Sequence, residues 1–288
     1  MSLVAVGLVS VSAQGQLGYG FRAGLSFSTF SGDLEADQSG NDLESYGLAT
    51  GFHIGVNVAY KFTDLVGLRG ELNFSQRGTK YTYEGSSYYI LGLHENESIV
   101  IRGNRNMTLN VTNAYVDIPL TLYYKFGPIE LSGGIGAGLN IGSTGGGNIV
   151  FEGVSPTSGQ SLDQFEIDLN YNYRTNGARQ VENSLTDVRV DGRVFNIPDR
   201  VGAYYWFEEK EKDQIKGIDV FLVGGLSFYL NEGFYLGGRI FYGLSDVDRN
   251  EYDISLANVD SNGNYIYRDD INRNITFQVS LGFSFYGS

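Results

Sequence analysis

Residues 115–126 run Tyr115-Val116-Asp117-Ile118-Pro119-Leu120-Thr121-Leu122-Tyr123-Tyr124-Lys125-Phe126. Every even position is apolar, while the odd positions carry Asp117, Pro119, Thr121 and Lys125 among tyrosines. A helix would scatter the even positions around its circumference; an extended strand gathers them on one face. One face is therefore continuously apolar and the other is crowded and partly charged. The same period of two returns in Phe52, Ile54, Val56, Val58, Tyr60 and Phe62, with His53 on the opposite face. It returns again in Ile218, Val220, Leu222, Leu226, Phe228 and Leu230, and in Ile275, Phe277, Val279, Leu281, Phe283 and Phe285.

Eight such runs can be followed, at about 18–30, 47–62, 65–80, 111–126, 129–142, 217–230, 233–245 and 273–286. Each contains the roughly 9–11 residues that a tilted strand needs to cross a bilayer. A soluble sandwich also alternates, but its polar face meets water and favours Thr, Lys and Glu. Here that face is rich in glycine, which suits the crowded interior of a small closed barrel. The joins decide between the two. Thr63-Asp64, Gly127-Pro128 and Asn231-Glu232 are tight turns, whereas 31–46, 81–110, 143–216 and 246–272 are long connections. Short turns at one end and long loops at the other form the outer-membrane pattern, with both termini on the periplasmic side. Aromatic residues (Tyr60, Phe62, Tyr124, Phe126, Phe228, Phe234 and Phe285) gather near the short turns, as an interfacial girdle would. The expectation is an all-β, eight-stranded antiparallel up-and-down transmembrane β-barrel with long extracellular loops.

Composition agrees. The chain has 40 glycines in 288 residues, about twice the usual share, with no G-X-Y period to suggest collagen. A hydrophobic content of 42% excludes a disordered chain, and zero cysteines exclude a disulfide scaffold, a thiolate zinc site and a lipidated cysteine anchor. The net charge of −13 argues against a nucleic-acid partner, and the acidity falls almost wholly in the long connections. At the N-terminus, Leu3–Val11 is an apolar run too short to span as a helix, followed by Val11-Ser12-Ala13, small residues suited to a cleavage site. Residues 1–13 are therefore expected to be a truncated signal peptide and 14–288 the barrel domain, with 143–216 as a long extracellular loop or hairpin insertion.

Several motifs support a resemblance. Tyr115-Val116-Asp117-Ile118-Pro119-Leu120 is followed by Tyr123-Tyr124-Lys125-Phe126 and then by Gly133-Gly134-Ile135-Gly136-Ala137-Gly138. The opening strand holds Gly20-Phe21-Arg22-Ala23-Gly24-Leu25-Ser26, and the third strand Glu71-Leu72 through Gly78. The chain resembles the outer-membrane β-barrel family of Bacteroidota, often labelled porin-family or PorT-like. That resemblance implies the same fold over about 18–286 and a Gram-negative outer-membrane location. One namesake takes part in type IX protein secretion, so an accessory role there, or a narrow pore, stands as the alternative function.

Strand parity places Arg22, Arg69, Glu71, Arg77, Asp117, Lys125, Glu130 and Arg239 on the inner face. An eight-stranded bore is only wide enough for side chains to fill, and an unpaired charge inside it would cost several kcal/mol. These groups are expected to pair across the bore as a structural plug; the alternative is a narrow ion path. In the third connection, Tyr204-Tyr205-Trp206-Phe207 either cores a small subdomain capping the barrel or offers a contact surface. Gly133–Gly147 lacks the Lys-Ser/Thr of a phosphate loop, and strand alternation runs through it. Asp33-Leu34-Glu35-Ala36-Asp37 and Asp246-Val247-Asp248 lack the glycine and terminal Glu of a calcium loop. His94 lies near Glu95, Glu97 and Ser98 without a catalytic flanking motif. The reading is a non-enzymatic structural and surface-interaction protein with no cofactor and no metal. Its expected partners are outer-membrane lipid and lipopolysaccharide, the barrel assembly machinery, and a protein or glycan at the loops.

Overall fold

The computed structural model describes residues 16–95 and 97–286, so the expected signal peptide lies outside the described residues. The strands are β1 (Gln16–Ser31), β2 (Glu44–Lys61), β3 (Val66–Leu91), β4 (Ile99–Phe126), β5 (Ile129–Val154), β6 (Ser161–Asn172), β7 (Val181–Val190), β8 (Arg193–Val201), β9 (Ile218–Tyr229), β10 (Phe234–Gly243), β11 (Ile254–Val259), β12 (Tyr265–Tyr267) and β13 (Arg273–Tyr286). Eight of them close a ring in the order β1-β2-β3-β4-β5-β9-β10-β13, every neighbour antiparallel, with β13 returning to β1 from Gly18↔Tyr286 to Ser31↔Arg273. This is an outer-membrane-type β-barrel.

The ring is inside-out relative to a water-soluble sheet. Side chains such as Ile54, Val56, Ile118, Leu120, Leu122, Leu226 and Leu281 stand exposed on the outer face. Arg22, His53, Arg69, Glu71, Arg77, Asp117 and Arg239 are buried within. Hydrocarbon cannot hydrogen-bond a backbone group, so closing the sheet and turning its apolar side outward satisfies both demands together.

The ring strands match the sequence reading at their membrane-spanning parts, but residues 81–110 are not the loop expected there. β3, β4 and β5 run for 26, 28 and 26 residues, far beyond what a bilayer requires. Beyond the barrel, β3 and β4 remain paired from Thr79↔Val111 to Leu91↔Ile99. The 143–216 segment is likewise largely strand. The outer half of β5 pairs with β6, a β7–β8 hairpin joins through a short parallel contact between β6 and β8, and β11 pairs with β12 in the last connection. Together these elements form a β-cap over the long-loop end, with a core that includes Tyr83, Leu91, Ile101, Phe151, Ile167 and Val201.

The reason that the sequence hides the β3–β4 part of the cap is a reversal of polarity. On β4 the odd positions point inward along its whole length. They are Asn113, Asp117 and Thr121 in the barrel but Ile101, Met107, Leu109 and Val111 in the cap. The even positions change from Ile118 and Leu120 to Arg102, Asn106 and Asn110, so each face swaps character near residue 113 while the backbone continues. β5 makes the same change by another device. Ala114 pairs with Gly142 but Tyr115 pairs with Asn140, so Ile141 is an extra residue. This bulge turns the odd positions from the lipid face, at Leu139, to the cap interior, at Ile149 and Phe151.

The swap has a measurable consequence. Leu120→Lys, on the outer face of the barrel, should destabilise the fold by about 2–4 kcal/mol, the cost of a cation near the bilayer midplane. Asn106→Lys on the same face of the same strand should be close to neutral. Urea unfolding in lipid vesicles, followed by heat-modifiable gel migration, checks both; equal costs would mean that the lipid boundary does not lie near residue 113.

Candidate functional site

The lumen side chains meet in three tiers. Nearest the short turns, Arg69 forms a two-pronged pair with Glu130, Nη1 to Oε1 at 2.7 Å and Nη2 to Oε2 at 2.9 Å. The Tyr229 hydroxyl donates to the same carboxylate at 3.0 Å, and the Arg69 guanidinium lies 4.8 Å from the centre of the Tyr123 ring. Lys125, half-buried at this end, places its ammonium 3.6 Å from the Tyr229 ring centre. Because β4 and β5 are joined by a tight turn, Lys125 sits opposite Glu130 in register.

In the middle tier Glu71 accepts from both Nη atoms of Arg239, at 2.7 and 2.5 Å, and from Asn73 at 3.1 Å. The Arg22 Nε lies 3.8 Å from Glu71, and Arg22 donates to the Tyr235 hydroxyl at 3.0 Å. His53 lies close by, its ring nitrogens 3.2 Å from the Ser26 hydroxyl and 2.9 Å from that of Ser280.

The upper tier belongs to Arg77, which contacts Asp117 at 2.6 Å and Asp219 at 3.1 Å. The Ser75 hydroxyl donates to Asp117, and Asn274 and Ser245 donate to Asp219. Rings of Tyr115, Phe221 and Phe241 lie 4.9, 5.0 and 5.3 Å from the guanidinium. Glycine makes this packing fit: a Cβ on Gly136 would lie 2.5 Å from the Phe221 ring, and one on Gly282 would lie 2.2 Å from the ring of Tyr235.

Arg22, Arg69, Arg77 and Arg239 thus meet Glu71, Glu130, Asp117 and Asp219, base for acid, all at 5% exposure or less. Such an assembly holds its charges only as a set, since an ion left without its partner in a low dielectric is strongly unfavourable. Position parity finds the inward residues but not their partners. Asp219 completes the upper tier, and its inward parity on β9 was the available signal. The tyrosines beneath the arginines carry no such signal.

The aromatic run behaves differently from a contact surface. Tyr204, Tyr205 and Phe207 are buried in the cap core, Tyr204 completely, and Trp206 is half-buried against it. The run turns inward because it follows β8, whose last residue Val201 already lies in that core. His94 secures it, Nε2 lying 2.6 Å from the Tyr205 carbonyl oxygen and Nδ1 3.6 Å from Glu208. No hydroxyl joins His94 in a catalytic arrangement among the described residues, and none of their acidic, histidine or cysteine side chains cluster in a way that would hold a metal.

Carboxylates crowd the junction of barrel and cap. Asp246 pairs with Lys216 at 2.5 Å, while Arg268 bridges Glu44 at 2.9 Å and Asp270 at 2.8 Å. Burial first, and then the neighbouring Asp246, push the Asp248 carboxyl up to about 7. Burial and then the hydrogen bond with Asp270 push Asp253 up to about 8.

The sequence matches the family model for the outer membrane protein beta-barrel domain over residues 12–249, and the chain belongs to that family. No curated protein matches it. Solved structures to which the chain is similar include Ail, the attachment invasion locus protein of Yersinia pestis, at 14% identity, 94% of this chain, 99% of that chain and a TM-score of 0.36. OprG from Pseudomonas aeruginosa aligns at 11% identity, 94% and 96% coverage and a TM-score of 0.31. The outer membrane protease OmpT of Escherichia coli aligns at 10% identity, 97% and 99% coverage and a TM-score of 0.31. The fold and the family place the protein in a Gram-negative outer membrane.

Two outcomes follow from the geometry. Arg69→Met strands Glu130 and should cost about 3–5 kcal/mol, whereas Arg69→Met with Glu130→Gln should recover most of that loss. A double-mutant cycle from urea unfolding reads the coupling, and additive losses would mean that the pair is not an interacting unit. Secondly, folded Asp248 and Asp253 keep protons that unfolded aspartates release near pH 3.8. Between those values the folded cap binds more protons, so it should be firmest in mild acid and weaken as pH rises through about 7 to 8. Hydrogen exchange of cap amides between pH 5.5 and 8.5, corrected for intrinsic rates, tests this, and Asp248→Asn should flatten the dependence.

Proposed function

From its membership of the outer membrane protein beta-barrel family, we propose that the chain is a sealed barrel whose work is done by the cap rather than by passage through the lumen. The observation that carries this reading is the filling of the bore: three tiers of paired arginines and carboxylates, backed by tyrosine and phenylalanine rings, occupy its cross-section. The barrel is then an anchor, held in lipid by its outer apolar band. The short turns and both termini face the periplasm, and the cap stands outside the cell, where its acidic connections meet lipopolysaccharide and the medium.

A surface-interaction role follows from what the cap presents. β7 is the last strand of the extended sheet, with one backbone edge unpaired among the described residues. Val181, Leu185 and Val194 of the β7–β8 hairpin are exposed apolar side chains on that flank. An unpaired edge beside exposed apolar groups suits a protein or glycan partner that adds along the strand.

Ion conductance of the folded protein in a planar bilayer tests the sealed lumen. The native barrel should give no steady current, and joint replacement of Arg22, Glu71 and Arg239 by alanine should open a measurable leak. A steady ohmic current through the native barrel would replace this reading with a narrow pore.

A further inference from the structure

Above the upper tier the cap holds a partly open cavity of about 170 Å3. That is near the size of an engineered protein cavity, about 150 Å3, that takes up benzene. Its wall is mostly apolar and aromatic, with Tyr89, Met107, Leu109, Ile149, Tyr171 and Trp206 among the residues that line it. All but Trp206, which follows β8, belong to the inward faces of β3, β4, β5 and β6, so the polarity reversal that builds the cap also builds most of this wall.

Arg105 also lines the cavity, and it is unlike every arginine in the barrel below. It is 5% exposed, yet no carboxylate of the described residues forms an ion pair with it. Its Nη2 donates to the Tyr88 carbonyl oxygen at 2.7 Å, and its Nε has no partner. Guanidinium stays charged at any physiological pH, and a buried cation without a counter-ion is costly unless something supplies the opposite charge.

The other ionisable groups on the wall leave that charge unopposed. Glu44 is taken up by Arg268 and by the Tyr81 hydroxyl, at 2.9 and 2.7 Å. Burial raises the carboxyls of Asp248 and Asp253 well above the ordinary range, which favours their uncharged forms. A neighbouring hollow shares Trp206, Phe207, Tyr252 and Tyr265 with the cavity and carries Glu209 and Glu211. Those glutamates would draw cations towards the cavity, so the seat and its surroundings pull in opposite directions.

We propose that the cap cavity is a binding site for a small aromatic carboxylate, its ring among Met107, Leu109, Ile149 and Tyr171 and its carboxylate on the Arg105 guanidinium. A planar carboxylate matches the fork of a guanidinium, and the apolar wall favours one ring over a sugar or a peptide. This site does not depend on whether the lumen conducts.

Trp206 is the only tryptophan of the chain and lines the cavity, so its emission reports on occupancy. The full protein in lipid nanodiscs is titrated with phenylacetate, with phenylacetamide as the uncharged analogue, and with phenethylamine as the cationic one. Phenylacetate should perturb Trp206 saturably and bind at least tenfold more tightly than the other two. This ranking is read on the native protein and needs no variant. Arg105→Met should then remove the preference for phenylacetate while leaving the amide's affinity unchanged, and Val111→Phe should abolish binding of both by filling the cavity. Tighter binding of the amine, equal binding of all three probes, or an emission that no probe changes would overturn the proposal.

Discussion

Hydrocarbon offers a backbone amide nothing to bond with, and the rest of the structure depends on that constraint. It requires the sheet to close, and β13 meets β1 to leave no edge within the ring. Closure with eight strands fixes a bore too narrow for water to fill as a channel, so the inward residues must satisfy one another. Their chemistry follows from that confinement. Arg69 finds Glu130, Arg239 finds Glu71, and Arg77 is shared between Asp117 and Asp219. The rings beneath the guanidiniums occupy volume that charge alone cannot occupy.

Lipid decides what is legible in the sequence. On the ring strands it demands an apolar side chain at every second position, a strong and periodic demand, and the spanning segments of the eight strands can be read from it directly. The inward charges are legible by parity for the same reason. Their pairing is not, because it crosses the bore between residues far apart in the chain: Glu71 and Arg239 are separated by 168 positions. Nothing local marks them as partners.

The β3–β4 part of the cap escapes a reading tuned to lipid because water reverses the rule. Residues 101–111 alternate with the faces exchanged relative to residues 115–126, interrupted at Gly103 and Arg105, and a search for one phase takes the other for loop. The clue was present in Met107, Leu109 and Val111, each flanked by polar residues. In β5 the clue is subtler, since a single extra residue at Ile141 performs the exchange among glycines. The Tyr204–Phe207 run offered two readings, and its packing against the core selects the buried one. Arg105 could not have been singled out: an arginine between two asparagines reads as a solvated face until its neighbours are known.

The exchange of faces on β4, the partner of β3 in a long hairpin, also bears on how the chain reaches its destination. Pair these strands in water in their native register, and the hairpin has no consistent inside. Its barrel half would present leucines on one surface and its cap half on the other, so no single partner sheet could cover both. The hairpin therefore gains little by folding early. A chain with this conflict has no comfortable aqueous resting state and stays fit for insertion until the membrane itself resolves which surface is which.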